Sequence, residues 1–96
     1  MVTVWSKRAA IELKKAYDYI REDSPQNAIK VRDEIIDLTL NLPMHPEKFP
    51  PDKFKTGNDN TWRAFEIYHY RISYRILPGQ IRIVRMRHTS RSPLSY

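Results

Sequence analysis

The sequence predicts an α+β fold: a short N-terminal strand, an antiparallel two-helix hairpin, then a three-stranded antiparallel meander with both helices on one face of the sheet. Apolar residues recur twice at helical spacing between positions 9 and 42, and two β-rich runs flank Pro78-Gly79. Between these halves lies a stretch with prolines at 43, 46, 50 and 51, where regular structure is disfavoured. Helices grouped before strands, rather than alternating with them, place the helices together on one sheet face.

The opening "MVTVW" is β-prone through Val2, Val4 and Trp5. Ser6 is placed to cap a helix over residues 7–22, in which Ala9, Leu13, Ala16 and Ile20 form an apolar stripe. Ser24 and Pro25 restart the chain, because proline suits a first helical position whose N–H has no partner. Ala28, Val31, Ile35, Leu38 and Leu42 continue the pattern, predicting a second helix over residues 25–42. The long loop after it is expected to be pinned by Met44, Phe49 and Phe54.

In "YRISYRIL", Tyr70, Ile72, Tyr74 and Ile76 alternate with Arg71, Ser73 and Arg75. The first set is expected beneath the helices and the second on an open face. In the last strand, Val84, Met86 and His88 are expected to face the helices, leaving Arg85 and Arg87 beside Arg71. This phase leaves Ile81 and Ile83 on the arginine side. Four strands and two helices leave one face without a covering layer, and the arginines stand there.

The 96 residues suit one domain spanning 1–96, and the absence of cysteine excludes disulfides and thiolate chemistry. With three scattered histidines, no metal site and no cofactor are expected. No run approaches a membrane span or a leader, so the expected location is the cytoplasm, with no membrane partner. The net charge of +6 has a simple origin. Residues 1–60 hold ten Lys/Arg and ten Asp/Glu, whereas residues 61–96 hold seven arginines against Glu66 alone, 7 − 1 = +6. An all-arginine excess on a sheet suits a nucleic-acid backbone or an acidic protein surface.

The "W-S-K-x-A" opening, the "DYI…DSPQNA" junction, "YRISYRI" and "IRIVRMRHTSR", in that order, resemble the RelE/ParE toxins of bacterial type II toxin–antitoxin modules. The resemblance spans essentially the whole chain. It implies this same fold and a cognate antitoxin bound in a hetero-oligomer. The toxin would target either ribosome-bound mRNA or DNA gyrase. A nuclease, metal-independent and ribosome-dependent, would use Arg71 to stabilise the phosphate. His88 would transfer protons and Tyr96 would position a base, while Arg63, Arg75, Arg85, Arg87 and Arg91 hold the backbone. The family nucleases carry lysines on the strand before the arginine, where this chain has "WRAFEIY" with only Arg63. A gyrase inhibitor of the ParE kind needs surface contacts alone, and "HTSR", His88 to Arg91, resembles the H-x-x-R of that branch. Arg91 and the tail 92–96 would then be contact residues. The set Arg71, His88 and Tyr96 favours the nuclease slightly. A third reading is a member that binds its antitoxin without poisoning the cell.

Overall fold

The computed structural model describes residues 1–91 and 96. Its elements are β1 (Val2–Trp5), α1 (Lys7–Asp23), α2 (Pro25–Asn41), β2 (Trp62–Ile67), β3 (Tyr70–Leu77) and β4 (Gln80–His88), with a 3-10 turn at Leu42–Met44. Both caps form as the residue types require. The Ser6 hydroxyl accepts the Ala9 N–H at 3.1 Å, and the Ser24 hydroxyl accepts that of Asn27 at 3.2 Å. Among the described residues, no helix is long and apolar enough to cross a membrane.

The sheet order is β1-β4-β3-β2. Strands β2, β3 and β4 form the antiparallel meander, and β1 joins its side, parallel to β4 with Val2 opposite Gln80 and Trp5 opposite Ile83. The buried Thr39 ties β1 to α2: its carbonyl accepts the Thr3 hydroxyl at 2.6 Å and its own hydroxyl accepts Trp5 Nε1 at 3.3 Å. The helical stripes, including Ala9, Ala16, Val31 and Ile35, close over Phe65, Tyr70, Ile72, Tyr74 and Met86 of the sheet. Tyr74 is fully buried and donates its hydroxyl to Pro46 O at 2.8 Å, which draws the proline-rich loop against the core.

Three expectations are corrected. Ser73 pairs with Arg85 but Tyr74 pairs with Ile83, so Val84 is an extra residue in β4. A bulge of this kind inverts the alternation on one side of it. Ile81 and Ile83 are therefore fully buried under the helices together with Met86, while Val84 is only half-buried. Arg63 stands opposite Tyr74, on the helix-side face, and not beside Arg71. There its guanidinium donates to Phe49 O at 2.8 Å and Asn60 O at 3.2 Å. Finally, Met44 is 74% exposed and pins nothing, whereas Phe49 stacks on Phe65 at 4.6 Å between ring centres.

The bulge is checked by a pair of substitutions. Ile83→Ala is expected to cost about 2–5 kcal/mol of unfolding free energy, as a core truncation does. Val84→Ala should cost about 1 kcal/mol or less. Equal losses in urea titrations would contradict the register.

Candidate functional site

The sheet face away from the helices gathers Trp62 and Glu66 of β2, Arg71, Ser73 and Arg75 of β3, and Arg82, Arg85 and Arg87 of β4. It is not bare. Residues from Asp52 to Asn58 fold over it, and Tyr96 docks against them. The Asp52 N–H donates to Trp62 O at 2.8 Å, and Asn58 Nδ2 bridges Asp52 O at 3.2 Å and Trp62 O at 2.8 Å. Backbone bonds from Thr56 N–H to Tyr96 O, 2.6 Å, and from Tyr96 N–H to Phe54 O, 3.1 Å, complete the cover.

At its centre is a carboxylate. The Asp52 side chain has no exposed surface and accepts Arg71 Nη2 at 2.8 Å, the Phe54 N–H at 3.0 Å and the Tyr96 hydroxyl at 2.5 Å. Burial alone would raise its pKa. The hydrogen bonds from Tyr96, Arg71 and Phe54, together with the Arg71 charge, outweigh burial and hold the carboxyl below its usual range. On Tyr96 burial and the bond to Asp52 act together and push the phenol up to about 12. Arg71 also reaches Glu66 at 3.2 Å and lies 4.8 Å from the Phe54 ring centre, so both acid partners and an aromatic face are already engaged.

The remaining candidates divide. Arg75 lies over Trp62, 4.8 Å from the ring centre, with Nε donating to Thr61 Oγ1 at 3.3 Å. Arg85 sits 5.7 Å from the Tyr96 ring centre, and Arg87 stands opposite Arg71. His88 pairs in register with Tyr70, which puts it on the helix-side face, away from Arg71 and Tyr96. Its Nδ1 accepts the Ser90 N–H at 3.1 Å and lies 2.7 Å from the Ser90 hydroxyl, and its ring meets Tyr70 edge-on at 5.1 Å. Arg91 is exposed beside it, at the rim of a cavity of about 450 Å³ between α1 and the end of β4. The structure thus brings Arg71, Arg85, Arg87 and Tyr96 together and leaves His88, Arg63 and Arg91 elsewhere. Residues 92–95 of the expected contact tail lie outside the described residues.

Asp52 and Phe54 are the residues that sequence reasoning missed. The bond from Asp52 to the N–H two residues on is an Asx turn, a local signal readable in "PDKF". Its partner on β3, 19 positions away, carries no such signal.

A sequence model described as "ParE toxin of type II toxin-antitoxin system, parDE" matches residues 3–93, and the chain belongs to that family. Among solved structures it is similar to one titled "Chromosomal ParDE TA system from P. aeruginosa". The two share 21% identity over 92% of this chain and 95% of that one, with a TM-score of 0.70, a likeness of fold. No curated protein matches it in sequence.

Three outcomes are expected from Asp52 and its partners. Asp52→Ala, which leaves Arg71 without its buried partner, should cost about 3–5 kcal/mol. Because the folded pKa of Asp52 is lowered, its contribution is complete above about pH 5 and is lost as pH falls through the folded value. Urea unfolding of wild type between pH 7 and pH 3 should show that loss, and Asp52→Asn should flatten the corresponding part of it. In an alkaline absorbance titration, Tyr96 should be among the last phenols to ionise, and Asp52→Asn should bring it back toward the ordinary tyrosine value.

Proposed function

We propose that this chain is a toxin that acts by contact, binding DNA gyrase through its arginine-bearing surface, and that a cognate antitoxin neutralises it. One observation carries the choice of contact over cleavage: Arg71, the group a nuclease would aim at the phosphate, is already held by Asp52 and Glu66. Cleaving RNA through a ribose 2′-OH requires a charge stabiliser and proton-transfer groups converging on one phosphate. Here the histidine lies on the opposite sheet face with its Nδ1 occupied by Ser90, and β2 carries no lysine. A contact inhibitor needs none of these. It needs exposed basic groups on a rigid support, and Arg82 and Arg91, with the half-buried Arg87, provide them.

The nuclease remains the second reading, favoured by one feature: Tyr96 and Arg85 lie on the same face as Arg71. The order of the two readings is thus the reverse of that suggested by the residues alone.

The purified chain should inhibit supercoiling of relaxed plasmid by gyrase and leave mRNA on translating ribosomes uncut in primer extension. Replacing Arg87 and Arg91 together by glutamate should weaken the inhibition about tenfold or more, since reversed charge at a complementary interface is strongly penalised. Cleaved mRNA with unaffected supercoiling would establish the nuclease instead. No effect in either assay, with the antitoxin still bound, would indicate a member that no longer poisons the cell.

A further inference from the structure

Arg85 is the unexplained group of the sheet. Its Nε and Nη2 atoms are closed off from solvent, and no backbone or side-chain acceptor among the described residues receives them. Idle donors closed off from solvent are unfavourable, and native structures supply such groups with an acceptor. The Nε–Nη2 edge is moreover the side on which a guanidinium grips an oxyanion through two parallel bonds.

The surroundings reinforce this. A cavity of about 30 Å³ lies against Arg85, bounded also by Arg71, Ser73, Arg87, Asp52 and Tyr96. That volume is about one water's share of the liquid, enough for a single oxygen atom of a larger anion. The wall carries three cations and one carboxylate. The Asp52 oxygens already face Arg71, the Phe54 N–H and Tyr96, leaving them turned to those partners. Arg8, from the first turn of α1, and Arg87 add to the positive potential at Arg85. Burial and these two arginines lower its pKa, while Glu12 and Tyr96 oppose them. Glu12 is itself engaged, accepting the Met86 N–H at 3.0 Å. Among the described residues neither Arg85 nor Arg87 forms an ion pair.

We propose that this cavity is an oxyanion-binding site. One oxygen of a carboxylate or phosphate enters it against the Nε–Nη2 edge of Arg85. Arg87 supplies further donors, and the Tyr96 ring forms the outer wall. The site is assigned from donor geometry alone, and it stands or falls independently of whether gyrase is the target.

The test is a titration of the full ¹⁵N-labelled chain, following the arginine Nε–Hε resonances. Inorganic phosphate and acetate are added in separate series, with chloride at matched ionic strength as the control. The Arg85 resonance is expected to move saturably with phosphate or acetate and not with chloride. Stronger response to phosphate identifies a phosphoryl ligand as the natural source, and stronger response to acetate an acidic side chain. Arg85→Gln should abolish the saturable shift at the Ser73 amide and at Arg87, whereas Arg82→Gln, at an exposed position of the same strand, should retain it. Should Arg85→Gln fail to fold, Arg85→Lys keeps the charge but removes the fork, and about a tenfold weakening is expected. A response to chloride equal to that of the oxyanions, no saturable response, or unchanged affinity in a folded Arg85 variant would overturn the assignment.

Discussion

The buried bond between Asp52 and Arg71 is the constraint on which the far face of the sheet depends. A carboxylate wholly removed from solvent must find donors within the protein, and here it finds three from separate parts of the chain. The loop after the prolines is thereby fixed over β3, Phe54 lies against the guanidinium, and Tyr96 is anchored to the sheet. A buried ion pair of this kind adds less to net stability than its short distances suggest, because both charges lose their hydration. What it does enforce is position, since leaving either partner alone is costly.

That constraint also separates two kinds of arginine. Arg71 is spoken for, Arg75 is spread over Trp62, and Arg63 is tied to the loop on the other face. The positive charge left for other molecules is concentrated along β4, from Arg82 through Arg85 and Arg87, and at Arg91. A chain whose net charge resides entirely in its last third thus directs it to one strand and the turn that follows, not evenly over a sheet.

Much of the fold was legible in the residues. Serine caps, a proline at a helix start and stripes at three- and four-residue spacing are local signals, and they located both helices to within a residue. Pro78-Gly79 located the hairpin for the same reason: Gly79 takes a positive φ of 77° that other residues resist. The phase of β4 was not legible, because an extra residue in a ladder is decided by what the partner strand and the helices demand. Ile81 and Ile83 on the wrong side were the one visible symptom. For the site, Arg71 and Tyr96 were picked out together and do meet. Their common partner was hidden in a polar loop where one aspartate looks like any other. His88 keeps the helix-side face that strand alternation with Met86 gives it, because the bulge shifts only the residues before it.

The central position of β4 has a consequence for how the molecule comes into being. This strand lies between β1 and β3, so the first strand of the chain can pair only with the last, across a separation of 78 residues at the Ser6–Val84 contact. The helical hairpin is complete by residue 41, yet Ile81, Ile83 and Met86 of the surface it must cover do not exist until β4 has been synthesised. A nascent chain therefore holds an exposed apolar stripe until β4 has been made, and its sheet closes only then. Fragments that stop short of β4 therefore lack both this interior strand and the arginines at 82, 85, 87 and 91.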